Sequence, residues 1–318
     1  MENAHPDQAR TDTDRPLIGR FAPTPSGRMH LGNLFAAMLA WASVRSRGGR
    51  MILRIEDLDT ERCSVQWADL VKQDLEWLGL FWDEEAPPQR ERGEAYAAAL
   101  DRLREQGLVY PCWCTRGLLH AASAPHAEDG HSVYPGFCRN LTDAERAAKA
   151  GRPASTRLIV PDEVISFRDG VQGPYSENLA RDCGDFVVRK ADGGWAYQLA
   201  VVVDDIASGV SEVARGRDLL SSAPRQIYLY RLLDAAPPAY FHAPLLLGPG
   251  GRRLSKRDLA LDMGTLRGNF SPEQIVGHLA HLAGLTEQPL PLPARELPAL
   301  FDWGKVPRQD IEVDPAAW

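Results

Sequence analysis

The sequence predicts an α/β protein with a Rossmann-like nucleotide-binding fold, and three stretches carry that expectation. First, Leu17 to Asn33 runs from a short apolar strand through a turn holding Pro23, Pro25 and Gly27 into a helix. The prolines and glycine stop regular structure and bring backbone close to a ligand. A helix opening there offers unpaired N–H groups and a positive dipole end to phosphate. Second, an apolar run from Trp195 to Val203 ends in Asp204 and Asp205, as expected of a buried element reaching a site. Third, Pro244-Leu245-Leu246-Leu247 leads through Gly248-Pro249-Gly250-Gly251 into the basic loop Arg252-Arg253-Leu254-Ser255-Lys256-Arg257. The turn carries neither of the two commonest glycine-rich phosphate fingerprints, so its chemistry has to be read from other residues.

Composition bounds the remainder. At 318 residues, with 44% hydrophobic and 25% charged content, the chain has ample material for a core in one large domain or two to three smaller units. No run of eighteen apolar residues occurs, and Met1 to Pro16 is polar, so neither a membrane span nor a secretory signal is expected. The expected location is the cytoplasm. A net charge of −7 argues against nucleic-acid binding over the whole surface, though it allows a local basic face. Five cysteines, an odd number, favour thiols or a metal over a disulfide framework.

In chain order, residues 1–16 read as a disordered leader. The helix from Leu31 to Val44 is followed by a strand from Met51, whose end at Glu56-Asp57 shares a sheet edge with Arg20. An alternative reading of Glu56-Asp57 is the N-cap region of the helix that follows. Helical spacing recurs from Ala68 to Gly79 and from Glu94 to Gly107. These elements make residues 17–107 the first half of a nucleotide-binding domain.

Residues 108–190 read as an insertion with short strands, for instance Thr156 to Val160 and Asp185 to Arg189. It carries Cys112-Trp113-Cys114 and, after an irregular segment, Tyr134-Pro135-Gly136-Phe137-Cys138. Thiolates bind Zn²⁺ tetrahedrally, and close spacing lets one loop supply two ligands, so a structural zinc knuckle is expected. Three cysteines leave one position open, for which His120, His126 and His131 are candidates. Separate buried thiols are the plainer alternative, and for the solitary Cys63 and Cys183 a core thiol is the better reading. The second half of the nucleotide-binding domain spans 191–265. Residues 266–318 form a short helical end, opened by the capping-box pattern Ser271-Pro272-Glu273-Gln274, and a proline-rich tail.

His30-Leu31-Gly32-Asn33 resembles the H-x-G-[HN] signature of class I aminoacyl-tRNA synthetases. Arg20-Phe21-Ala22-Pro23-Thr24-Pro25-Ser26-Gly27 before it resembles the glutamyl subgroup, as do Arg54-Ile55-Glu56-Asp57, Trp195 to Asp205, and Glu212-Val213-Ala214-Arg215-Gly216-Arg217-Asp218-Leu219. The basic loop resembles K-M-S-K-S, with arginines at its first and last positions. The resemblance covers about residues 17 to 290 and is nearest to the truncated glutamyl-Q branch, which lacks an anticodon-binding domain.

That resemblance implies a set of roles. His30, Asn33 and Lys256 would be catalytic. Arg20, Phe21, Ala22, Pro23, Thr24, Glu56, Tyr197 and Arg215 would bind glutamate. ATP, with Mg²⁺, would lie against His30, Gly32, Asn33, Arg253, Leu254, Ser255 and Lys256. In the glutamyl-Q branch a tyrosine four residues before the last cysteine closes the zinc site, which implies the set Cys112, Cys114, Tyr134 and Cys138. Two arginines suit a substrate with two carboxylates, because a guanidinium pairs with a carboxylate bidentately. The implied reaction is tRNA-independent activation of glutamate as its adenylate, then transfer to queuosine in the anticodon of tRNA(Asp), by an enzyme expected to be monomeric. Two alternatives are a reduced glutamyl-tRNA synthetase charging tRNA(Glu) and a non-catalytic module that binds glutamate or ATP.

Overall fold

The computed structural model describes residues 16–115, 117, 133–254, 261–314 and 318. The expected leader up to residue 15, the three candidate histidines and Ser255, Lys256 and Arg257 lie outside the described residues.

The centre is a five-stranded parallel sheet. Its strands are β1 (Ile18–Phe21), β2 (Arg50–Arg54), β3 (Glu84–Ala86), β9 (Glu212–Gly216) and β10 (Ala239–Ala243), in the order β10-β9-β1-β2-β3. From β1 the chain moves one way to β2 and β3, and later returns on the other side of β1 with β9 and β10. The strand order therefore reverses between β1 and β9, and the crevice beyond the carboxyl ends at such a reversal is where open α/β sheets bind ligands.

Helix α1 (Leu31–Ser46) packs on the sheet with eleven of its residues buried. The close approach needs Gly19, where an added Cβ would stand 2.3 Å from Val44 Cγ2. Helices α2 (Val65–Trp77), α3 (Gly93–Glu105), α6 (Tyr197–Ala207) and α7 (Ala223–Leu232) follow, with α6 packed against both α3 and α7. The cap of α2 is Ser64, whose Oγ accepts from the Trp67 N–H at 3.2 Å. Glu56 and Asp57 thus remain at the sheet edge, where the Glu56 N–H donates to the Pro23 carbonyl at 3.0 Å and ties the end of β2 to the turn after β1.

The inserted region has two small sheets: β4 (Val109–Cys112), β5 (Ser155–Leu158) and β8 (Phe186–Arg189) in one, and the hairpin β6 (Val164–Asp169) and β7 (Gly173–Asn178) in the other. Short helices α4 (Asp143–Ala147) and α5 (Leu179–Asp182) connect them. The hairpin turn reaches back to the catalytic sheet, with the Gly170 N–H donating to the Tyr240 carbonyl at 2.8 Å.

Beyond β10, strands β11 (Leu246–Gly248) and β12 (Arg252–Arg253) enclose a turn in which Gly250 and Gly251 both adopt left-handed φ, 75° and 73°. Helices α8 (Met263–Asn269) and α9 (Pro272–Leu282) follow, and α9 carries the expected capping box between Ser271 and Gln274. The C-terminal segment is more than the tail expected from its prolines. Helix α10 (Leu297–Leu300) packs on α1, and β13 (Ile311–Glu312) runs parallel to β11. Leu297, Val306 and Val313 belong to the main core. Trp303 Nε1 donates to Ser43 Oγ at 2.8 Å, and Ser43 Oγ donates to Glu212 at 2.5 Å, so this segment braces α1 against β9.

Candidate active site

A cleft of about 440 Å³ opens at the strand-order reversal. Its lining includes Arg20, Phe21, Ala22, Pro23, Thr24, Glu56, Tyr197 and Arg215, all eight residues expected around glutamate, together with His30 and Asn33. These come from β1 and its turn, the residues after β2, the first turn of α6, and β9.

His30 is the N-cap of α1. Its Nδ1 accepts from the Gly32 N–H at 3.2 Å, while Asn33 Oδ1 accepts from the His30 N–H at 3.2 Å. In the neutral ring this leaves the proton on Nε2 as a donor. Gly32 packs beside the ring, where a Cβ would meet Nδ1 and Cε1 at 3.2 Å. The Leu254 side chain is buried in the core, so contact with ATP would fall to its backbone. The backbone of Arg253 pairs with Leu247.

Sequence reasoning missed the charge arrangement beneath the cleft. Arg54 is 1% exposed and donates to Asp205 Oδ1 at 2.5 Å and to Glu56 Oε1 at 3.0 Å. Arg20 Nε lies 3.7 Å from Asp205 Oδ1, and its Nη1 donates to the Ala214 carbonyl at 3.3 Å. Asp204 accepts from Gln89, Arg92 and Tyr96. Burial raises the Glu56 pKa, with Arg54 and Arg20 opposing that shift. Asp205 thus anchors both Arg20 and Arg54, and Arg54 in turn holds Glu56 at the cleft wall.

Arg215 is different, because its partners are neutral. Nε donates to His242 Nε2 at 2.9 Å, Nη1 to the Tyr197 hydroxyl at 3.5 Å and Nη2 to the Leu219 carbonyl at 3.2 Å. A cation only 6% exposed, with two guanidinium N–H groups beyond these bonds to the described residues, can receive an anion. Burial lowers the His242 pKa, and the adjacent Arg215 lowers it further against the pull of Asp169, so the imidazole is a neutral acceptor.

In the insertion, the sulfurs of Cys112, Cys114 and Cys138 all lie within 4.8 Å of one another. Sulfurs on a tetrahedral zinc would stand about 3.8 Å apart, and Cys114 and Cys138 are 3.7 Å apart. The donor set therefore fits a metal ion, and it is the one such group among the described residues. The Tyr134 oxygen lies 3.4 Å from Cys112 Sγ and 3.7 Å from Cys114 Sγ, and it accepts the Cys138 backbone N–H at 2.9 Å. Arg157, also unremarked in the sequence, donates to Cys112 Sγ at 3.3 Å and covers the Tyr134 ring at 3.6 Å. Burial pushes the Cys112 thiol up, but bonds from Tyr134 and Arg157 outweigh it and bring it down to about 7, toward the ligating thiolate. Cys63 and Cys183 are only half-buried and lie outside this cluster.

The family model described as tRNA synthetases class I (E and Q), catalytic domain, matches residues 17–289. A protein of Symbiobacterium thermophilum named glutamyl-Q tRNA(Asp) synthetase is 49% identical over 310 residues, covering 93% of this chain and 96% of its own. One of the same name from Nitratidesulfovibrio vulgaris is 46% identical over 313 residues, covering 94% and 96%. This chain belongs to the glutamyl-Q tRNA(Asp) synthetase family. A solved glutamate tRNA ligase of Elizabethkingia meningosepticum, in complex with its amino acid, superposes with a TM-score of 0.79 at 26% identity, over 94% of this chain and 67% of that one. The α/β class I fold is thereby established, and the protein is a ligase-type enzyme of the glutamyl-Q family.

Proposed function

We propose that the enzyme activates L-glutamate with ATP, without tRNA, and transfers the glutamyl group to queuosine in the anticodon of tRNA(Asp) in the cytoplasm. The observation that carries the amino-acid half is Arg215, a buried cation with neutral partners that faces Arg20, Glu56 and Tyr197 across one cleft. Arg20 and Arg215 take the two carboxylates of glutamate, and Glu56 takes the ammonium group. The family name of the relatives supports the acceptor.

In the first step a glutamate α-carboxylate oxygen attacks the α-phosphorus of ATP, and the bond to the bridging oxygen breaks to release pyrophosphate. The protein supplies placement and charge rather than a nucleophile. His30 Nε2–H and the N-terminus of α1 face the phosphates, with Gly32 and Asn33 holding the imidazole and the helix start. Mg²⁺ arriving with ATP would neutralise phosphate charge. Arg253, the Leu254 backbone, Ser255 and Lys256 extend the phosphate site from the basic loop, in which Ser255 and Lys256 lie outside the described residues. In the second step a cyclopentenediol hydroxyl of queuosine attacks the adenylate carbonyl and releases AMP. Cys112, Cys114 and Cys138, with Tyr134 beside them as the nearest candidate for a fourth ligand, would hold a structural Zn²⁺ that fixes the insertion and supplies no chemistry to the transfer.

Glutamate-dependent exchange of labelled pyrophosphate into ATP tests the first step. Exchange without tRNA is expected. A strict requirement for tRNA would contradict tRNA-independent activation.

A further inference from the structure

Asp169 and His242 take no part in the reaction described above, yet they form one of the most enclosed polar pairs in the molecule. Both side chains are 0% exposed, and Asp169 Oδ2 lies 2.6 Å from His242 Nδ1. Asp169 closes β6, in the inserted region, whereas His242 lies on β10 of the catalytic sheet. The other Asp169 oxygen is committed. Oδ1 accepts the backbone N–H groups of Val171 at 2.9 Å, Gln172 at 2.8 Å and His242 at 3.1 Å. On the far side of the ring, Nε2 receives the Arg215 Nε–H at 2.9 Å.

These bonds leave one consistent arrangement of protons. Arginine only donates, so Nε2 must be the unprotonated nitrogen, and the single proton of the neutral ring sits on Nδ1 and points at Asp169. The charged groups around the ring are Asp169 from the insertion, Arg215 from β9 and Arg20 from β1, with Tyr240 stacked at 5.9 Å on its own strand.

We propose that Asp169 and His242 are positioning residues, in which Asp169 locks His242 in the Nδ1–H tautomer so that Nε2 holds the Arg215 guanidinium aimed into the cleft. This rests on the reading of that cleft as the glutamate site. It gives the insertion a part in substrate selection, because the residue that sets the tautomer belongs to it. The arrangement fixes the guanidinium plane through Nε, leaving the outer N–H groups for a carboxylate.

Asp169→Asn separates positioning from bulk. The three backbone N–H groups at Oδ1 require an acceptor, so the asparagine oxygen must stay there and its NH₂ must face Nδ1. His242 then accepts at Nδ1 and carries its proton on Nε2, donor against donor with Arg215. ¹⁵N NMR of the full chain is expected to show protonated Nδ1 in the wild type and protonated Nε2 in the variant, with exchange protection of the Arg215 Nε–H lost. In pyrophosphate exchange, the KM for glutamate should rise about tenfold or more, with the KM for ATP within about twofold. An unchanged tautomer, an unchanged Arg215 resonance, or an unchanged glutamate KM despite a reversed tautomer would each overturn the proposal. Should Asp169→Asn fail to fold, His242→Gln, which keeps an acceptor opposite Arg215, should hold the glutamate KM within about threefold while His242→Leu raises it about tenfold. Equal values in those two variants would overturn it. A wild type that uses no glutamate at all would refute the functional reading instead, and the His242 and Arg215 resonances would still decide the positioning claim.

Discussion

Arg215 concentrates the chemistry of the cleft at the level of single residues. It is buried and charged, and its protein partners are neutral, so an anionic ligand is the natural counter-charge. Arg215→Lys keeps the charge but loses the planar fork and the Nε bond to His242. The KM for glutamate should rise about tenfold or more with little change in that for ATP, read by pyrophosphate exchange. An unaltered KM would remove Arg215 from substrate recognition. Lys256→Ala should slow activation by about two orders of magnitude, because fixed positive charge at a departing phosphate is worth several kcal/mol. An unchanged rate would take Lys256 out of the mechanism.

The buried His242 also predicts a pH dependence of stability. Its folded pKa is lowered, by burial and by Arg215, so the folded protein binds this proton less readily than the unfolded chain. Its contribution is therefore complete above the unfolded histidine value, about 6.5, and is lost as pH falls below that toward the folded value. Asp169, also lowered despite its burial, acts in the same direction at lower pH, while Glu56, raised, acts in the opposite one. Comparing thermal unfolding of the wild type and His242→Gln isolates the histidine. The wild type should lose more stability than the variant between pH 7.5 and 5. Parallel losses would contradict the assignment of a neutral imidazole.

At the scale of elements, local pattern was legible and long-range pairing was not. The strand, the proline-rich turn and α1 could be read because apolar spacing, turn residues and a helix start are local signals. The capping box at Ser271 was legible for the same reason. The pairing of Asp169, His242 and Arg215 was not: Arg215 could be singled out by its motif, but Asp169 and His242 lie 73 residues apart and look ordinary in their own stretches. Arg54 reads as a strand-end cation, and only the fold shows three carboxylates gathered around it. The C-terminal segment was misjudged because prolines hide a periodic pattern, while scattered residues such as Leu297 and Trp303 do the packing.

Two predictions belong to this scale. Trp303→Phe keeps the ring contact with Phe241 but removes the donor to Ser43, and should lower stability by about 1 kcal/mol in denaturant titration. No change would mean that the C-terminal brace is only a loose cover. For the insertion, about one zinc per chain should co-purify. Cys112→Ser with Cys114→Ser should abolish it and expose β4 and β5 to amide exchange while β1 and β2 stay protected. Metal analysis finding none in protein prepared without chelator would contradict a zinc site. Tyr134→Phe tested against His131→Ala identifies the fourth ligand by which variant loses the metal.

At the scale of the whole molecule, the central sheet supplies Arg20 and Arg215 to the cleft, and Asp169 at the end of β6 stands behind Arg215, bonded to it through His242. None of the described helices is long and apolar enough to cross a membrane. The acceptor proposal requires the anticodon loop itself to enter the cleft, with its bases unstacked as proteins bind single-stranded RNA loops. An isolated anticodon stem-loop should then suffice, and transfer should weaken steeply with salt because phosphate contacts dominate such binding. The most direct test is transfer of labelled glutamate to three acceptors: a tRNA(Asp) anticodon stem-loop carrying queuosine, the same stem-loop carrying guanosine, and intact tRNA(Glu). Label on the queuosine stem-loop alone is the expected result, whereas label on the terminal adenosine of tRNA(Glu), with the queuosine stem-loop blank, would contradict it.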